Sequence, residues 1–358
     1  ILINGGMLVA TVAVMSIVLI HTRYLLTKKE IIGRLTLAET NKELAQKNHI
    51  IEEKNREITD SITYAKRLQE AILPPTDYVN KHLPDNFILY KPKDIVAGDF
   101  YWMEVVVGSH ESGVGSSQSE RTPSEDSSLQ TPNSSVRSPS DKPLTVFIAA
   151  ADCTGHGVPG AMVSVVCSNA LNRTVKEFGL RDTGKILDKV TELVLETFEK
   201  SDEDVKDGMD ISLMAIQFPS PSAPFSFGEG RGDEARVRLN WSGANNPLLY
   251  ILNGEAIEIT ADKQPIGKHD NRKHFTTHQL PLTTHHSPLT IYLFTDGYAD
   301  QFGGHKGKKF MYRRMQEKLV EISKKPMAEQ KKILDETIMQ WKGSNEQVDD
   351  ICVIGIRL

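Results

Sequence analysis

Four strings each set an aspartate at the edge of an apolar run: AGDFYW with Asp99, AAADCTGHGVPGAM with Asp152, LFTDGYAD with Asp296, and VDDICVIGIRL with Asp349 and Asp350. Short acidic arms beside glycine suit a hard divalent cation, which takes carboxylate, carbonyl and water oxygens. One such string alone reads as an ordinary turn, because Asp-Gly is a common turn pair. Four of them, each abutting a strongly apolar strand, point to a shared oxygen-rich cluster. His156, inside the second string, adds an imidazole that can pass a proton. Other chemistries leave weaker traces. Cys153, Cys167 and Cys352 are too few and too scattered for a disulfide framework or a Cys-rich zinc site. His269, His274, His278, His285 and His286 show no HExxH or Cys/His spacing, and no GxxxxGK[ST] string marks a P-loop nucleotidase.

The apolar runs beside the aspartates are strand candidates. Stretches 87–90, 96–107, 144–151, 211–218, 235–241, 247–252, 275–280, 289–295 and 351–358 are rich in β-branched and aromatic residues. Helices are predicted over 159–178, 183–200, 308–324 and 327–341, with Pro159 suited to a first helical turn. Strands in runs and helices in pairs predict an α+β domain over 85–358 with largely antiparallel sheets. Residues 108–143 interrupt it. Twelve of those 36 are Ser and few are aliphatic, so the segment cannot bury enough surface to offset its ordering entropy and reads as a disordered insertion. A second, shorter loop insertion is expected at 219–234.

The first 20 residues, ILINGGMLVATVAVMSIVLI, carry no charge and are long enough to cross a hydrocarbon core. A signal-peptide core or a buried helix is the competing reading, but the run is long for the former and no small-residue cleavage site follows. Arg23, Lys28 and Lys29 flank it, which favours a cytoplasmic location for everything downstream and predicts one membrane crossing within this stretch of chain. Over 21–73 a seven-residue repeat follows. Leu37, Leu44, Ile51, Ile58, Ala65 and Ile72 take d positions, and Asn41, Asn48, Asn55, Ile62 and Gln69 take a positions. Such a repeat predicts a parallel coiled-coil homodimer rather than a lone solvated helix, with the Asn residues fixing register. Pro74 and Pro75 end it.

The whole chain of 358 residues has a net charge of −5, which argues against nucleic-acid binding by a basic surface. One local exception, 304–342, holds 11 Lys/Arg against 5 Asp/Glu, a balance of +6 that is either a steering surface or a solvated helix face.

Taken in order, AILPP, AGDFYW, ADCTGHGVPGAM, SGANNPLLY, QPIG, FTDGYAD and VDDICVIGI resemble the SpoIIE-like branch of the metal-dependent Ser/Thr protein phosphatases, the PPM family. The resemblance covers about 62–358 apart from the two insertions. It implies a four-layer αββα sandwich with a dinuclear Mn²⁺ or Mg²⁺ site at one edge, activating a water for attack on phosphorus. By the same resemblance Asp152 bridges both ions, and the carbonyl of Cys153 serves the second. Asp296 and Asp349 bind the first, and Asp99 reaches the second largely through water. Asp350 supports from behind or exchanges roles with Asp349. His156 is a candidate general acid or a supporting group. Trp102 either shapes the entrance or fills core, and Lys91 and Lys93 either grip phosphate or lie on a solvated strand edge. The implied function is a signalling Ser/Thr phosphoprotein phosphatase, with a STAS-type anti-sigma-factor antagonist as a substrate of the implied class. The alternatives are a catalytically silent phosphoprotein-binding scaffold and a sensor histidine kinase. No His between 50 and 81 supplies the kinase with a phosphate acceptor.

Overall fold

The computed structural model describes residues 2–108, 143–199, 207–219, 237–280 and 289–358. Apart from end residues, the insertions expected at 108–143 and 219–234 lie outside these, as do His285 and His286. Contacts divide the chain into two units, Ile1–Ile62 and Thr63–Leu358.

The first unit lies within one helix, α1 (Leu2–Ile72). Its apolar N-terminal stretch is long and apolar enough to cross a membrane by length and composition. The hydroxyls there are self-satisfied: Ser16 donates to the carbonyl of Val12 and Thr22 to that of Val18, each at 2.8 Å. Such back-bonding lets a polar side chain do without water. Leu37, Leu44, Ile51 and Ile58 are each more than half exposed, an apolar stripe at seven-residue spacing.

The second unit begins with the end of α1 and the short α2 (Thr76–His82), then builds two antiparallel sheets. One sheet has the order β1 (Asn86–Lys91), β12 (Ile351–Arg357), β9 (Thr290–Phe294), β6 (Leu248–Leu252) and β7 (Glu255–Ile259). The other runs β2 (Phe100–Val107), β3 (Leu144–Cys153), β4 (Met209–Phe218), β5 (Arg238–Ala244) and β8 (His278–Gln279). Helices α3 (Gly157–Lys176) and α4 (Thr183–Phe198) cover the second sheet. The short α5 (Gly297–Asp300), the β10 (Phe302–Gly303) and β11 (Lys308–Lys309) hairpin, α6 (Tyr312–Ile322) and α7 (Met327–Lys342) belong to the other side, where α6 and α7 cover the first sheet. The layer order is therefore α, β, β, α, as the family resemblance implies.

Strand alternation explains the three cores. In β3, Val146, Ile148 and Ala150 face the other sheet, while Phe147, Ala149 and Ala151 face α3 and α4. In β9, Ile291 and Leu293 face between the sheets, while Tyr292 and Phe294 face α6 and α7. Strands buried on both faces read as continuous apolar runs, as β3 and β9 do. Asp182 caps α4 by accepting the N–H of Lys185 at 3.0 Å.

Several boundaries differ from expectation. The strand predicted over 96–107 begins only at Phe100, because the preceding residues form a turn fixed by side chains. That predicted over 275–280 shrinks to two residues, because Asp188 and Asp262 take the N–H groups of Phe275 and Thr276 instead of a strand partner. The edge strand β7 has no predicted counterpart, since its exposed residues carry no buried alternation.

Leu293 is fully buried between the sheets. Leu293→Ala should cost about 2–5 kcal/mol, measured by urea denaturation of the piece 63–358. A loss below about 1 kcal/mol would mean that the inter-sheet core is not the main support of the fold.

Candidate metal centre

Alternation also assembles the acidic side chains. Asp152 continues the inter-sheet set of Val146, Ile148 and Ala150, and Asp350 that of Cys352, Ile354 and Ile356. Asp99 is in phase with Met103, and Asp210 with Met214 and Ile216. Because β2, β3, β4 and β12 run antiparallel to their neighbours, all of these residues come to one end of the sandwich. Asp152 and Asp210 are direct cross-strand partners.

The carboxyls of Asp99 and Asp296 lie close enough to that of Asp152 to act on its titration. Burial, then the charges of Asp296, Asp349 and Asp210, push Asp152 up to about 8. Asp99, 2% exposed, is raised by burial and then by Asp152, against the stabilising bond from the Thr295 hydroxyl at 2.6 Å. Asp296 stands at the exposed mouth, yet the protein crowding its carboxyl, with Asp349, Asp300 and Asp210, lifts it to about 6. The charges acting most strongly on these groups are other carboxylates. Such a set is stable only when protons or cations neutralise it.

The residues present fit hard divalent cations. The donors are all oxygens: the aspartates and the Cys153 carbonyl, which would lie 3.0 Å from a side chain built on Gly98. The Cys153 thiol points the other way, into the helix-side core. Among the described residues no three acidic, imidazole or thiol groups already converge closely enough to hold an ion. The cluster borders a cleft of about 340 Å³ lined by Asp152, Cys153, Gly155, His156, Asp210 and Asp349. A second cleft of about 440 Å³, between β7 and α6, contains none of the aspartates.

Three supports hold the Asp99 turn. Asp350 accepts backbone N–H from Lys93 at 2.6 Å and from Gly98 at 2.7 Å. Both its oxygens are thus engaged, so it holds the turn, whereas Asp349 is the one whose charge acts on Asp152 and Asp296. Gln69 donates to the Ala97 carbonyl at 2.5 Å and to Ser164 at 3.1 Å, and accepts the Ala97 N–H at 3.1 Å. The heptad pattern puts Gln69 in the coiled-coil seam, but here it is buried against the turn. Tyr90 donates to the Asp99 carbonyl at 3.0 Å. Gly98 is required by close approach, since a Cβ there would fall 2.5 Å from the Gly155 carbonyl oxygen.

Asp210 is the acidic residue that the sequence reading gave no part in the site. Its carboxyl accepts from Asn245 at 2.8 Å, and its charge acts on both Asp152 and Asp296. Its in-phase position with Ser212, Met214 and Ile216 was the available signal. Trp102 is core, 2% exposed, with its indole N–H on Asn172 at 3.0 Å. Lys91 is paired with Asp335 at 2.5 Å, and Lys93 contributes its backbone N–H to Asp350. His156 lines the cleft, 3.2 Å from Asp94 through Nδ1.

The family model for Stage II sporulation protein E (SpoIIE) matches residues 142–358. No curated protein matches the sequence. Among solved structures, the chain is similar to the SiaA-PP2C domain of Pseudomonas aeruginosa, at 27% identity and a TM-score of 0.61, covering 85% of this chain and 98% of that one. It shares the fold of the PP2C phosphatase domain, with a fragment of the regulatory domain, of SpoIIE from Bacillus subtilis. There the identity is 13% and the TM-score 0.51, over 76% of this chain and 63% of the other.

The raised carboxyls predict an inverted pH dependence for the cation-free protein. Asp152 (about 8) and Asp296 (about 6) titrate above the ordinary value of 3.8. The folded state therefore keeps protons that the unfolded chain releases from about pH 4 upward, so stability falls as pH rises toward about 8. With chelator present, residues 63–358 should melt at lower temperature at pH 8 than at pH 5. Asp152→Asn should raise the pH 8 melting temperature and flatten the dependence; an unchanged slope would remove Asp152 as its source.

Proposed function

The chain belongs to the SpoIIE family and carries a PP2C-type serine/threonine phosphatase domain, and on that premise we propose that it hydrolyses phosphoserine and phosphothreonine in a partner protein with two divalent cations, Mn²⁺ or Mg²⁺. The observation carrying this reading is the set of carboxyls around Asp152, in which Asp99, Asp296 and Asp349 act on one another's charge and no basic group offsets them most strongly. Asp152, Asp296, Asp349, Asp99 and the Cys153 carbonyl would hold the ions. Asp350 acts through the turn that it fixes. Bound there, the ions supply Lewis acidity and lower the pKa of a water for attack on phosphorus. His156, on the cleft wall, gives the leaving oxygen its proton.

The rest of the chain fits a signalling output. Residues 1–20 span the membrane, 21–73 form the signalling helix, and 85–358 form the catalytic domain on the cytoplasmic side. The exposed stripe of Leu37, Leu44, Ile51 and Ile58 pairs with a second copy in a parallel dimer. The phosphoprotein substrate is of the STAS type that the family resemblance implies. Gln69, in the last turn of α1, touches both polar backbone groups of Ala97, two residues from Asp99. A change in the helix therefore reaches a proposed ligand directly.

Phosphate release from a phosphoserine protein by the full chain in detergent should require Mn²⁺ or Mg²⁺. Asp296→Asn should lower it by at least about 1,000-fold, the scale of losing several kcal/mol of transition-state stabilisation. Wild type no faster than Asp296→Asn at saturating Mn²⁺ would overturn the reading. Gln69→Ala, which frees the Asp99 turn, should lower kcat about tenfold, since small misplacements of reacting groups are costly. Unchanged kcat and Mn²⁺ affinity would show that the turn holds without it.

A further inference from the structure

We propose that Asp94 is a positioning residue for His156, and that the pair serves departure of the serine or threonine oxygen. This rests on the phosphatase reading and names a residue that reading does not use. His156 precedes α3 in extended backbone, with φ −121° and ψ 170°, and makes no side-chain cap to the helix. Its ring is instead engaged by Asp94, with Nδ1 3.2 Å from Oδ2. An acceptor at Nδ1 fixes the N–H on that nitrogen and leaves Nε2 as the one available to a substrate.

The placement of Asp94 is built in. The backbone on either side of it is held by Asp350, through the N–H groups of Lys93 and Gly98. A Cβ on Gly157, the first residue of α3 (φ +64°), would sit 3.5 Å from Asp94 Oδ2, so the carboxylate lies against the start of the helix. One turn therefore carries both the group that orients the proton donor and, at Asp99, part of the carboxyl set. Both partners of the pair are largely exposed, and an ion pair in that setting contributes little to stability. The acidic groups lining the cleft are Asp152, Asp210 and Asp349.

The step balances as follows. The oxygen of water forms its bond to phosphorus as the bond from phosphorus to the side-chain oxygen breaks. The electron pair of that bond stays on the departing oxygen, which takes the proton from Nε2 of the imidazolium. The proton lost by the attacking water returns to Nε2 through solvent. The products are the free hydroxyl side chain and inorganic phosphate.

The test compares leaving groups, using the full chain in detergent with saturating Mn²⁺. Serine is a poor leaving group and needs the proton, whereas p-nitrophenolate departs without it. Asp94→Asn should lower kcat about tenfold on a phosphoserine protein and change it less than about twofold on p-nitrophenyl phosphate. Asp94→Glu should recover part of the loss. His156→Gln should lower the phosphoserine rate about 100-fold, and adding Asp94→Asn to it should change nothing more. The assignment is overturned by equal losses on both substrates, by an Asp94→Asn effect that persists in the His156→Gln background, or by a shift in the Mn²⁺ concentration for half-maximal rate. A wild type that hydrolyses neither substrate with Mn²⁺ overturns the phosphatase reading itself, and this assignment with it.

Discussion

The carboxylate of Asp350, gripping the backbone N–H groups of Lys93 and Gly98, is the contact on which the candidate centre depends. It joins the start of β12 to the turn before β2, two segments 252 residues apart at the Gly98 contact and in different sheets. Burial raises its pKa, and the backbone N–H groups work against that rise by favouring the charged form. An unpartnered buried amide costs about 1–3 kcal/mol, so neither side of this contact is easily given up. Asp94, Ala97 and Asp99 all lie in or next to the turn it closes.

Buried glutamine amides repeat this device elsewhere. Gln69 takes both backbone groups of Ala97, and Gln264 takes both of Lys273, accepting at 2.9 Å and donating at 2.7 Å. Gln330 accepts from Tyr292 and donates to the carbonyls of Ser323 and Lys325. An amide offers a donor and an acceptor on one rigid plane, which is what an irregular segment lacking a strand partner needs. The irregular segments that these amides hold lack the hydrophobic periodicity that makes strands visible in a sequence.

That difference decides what was legible. The ligand candidates were readable because each ends or precedes an apolar run, and alternation along such a run fixes which residues share a face. Asp210 obeys the same rule, but its DGMD context also reads as a strand cap, and only its pairing opposite Asp152 separates the two. Gln69 was hidden by the heptad pattern, which runs on through it while its actual partners, Ala97 and Ser164, lie 28 and 95 residues away. The Lys91 pair with Asp335 spans 244 residues and has no local signature at all. The edge strand β7 failed for the opposite reason, since its exposed faces give no burial pattern to read.

The residues that hold the site are therefore distinct from those that would perform its chemistry, and their environments show it. Asp350 is buried but satisfied by amides, so its charge is supported in place. Asp152 is crowded by carboxyls, so its charge is not. A group held at about 8 retains its proton through much of the neutral range, and a cation must displace that proton to bind. Proton and cation thus compete for the same oxygens. The fold makes that competition close by burying the acids without giving them a basic partner as their strongest neighbour. A lysine in that place would settle the charge permanently and remove the demand for a cation. The arrangement is unstable as built, and that instability is what makes it receptive to divalent ions.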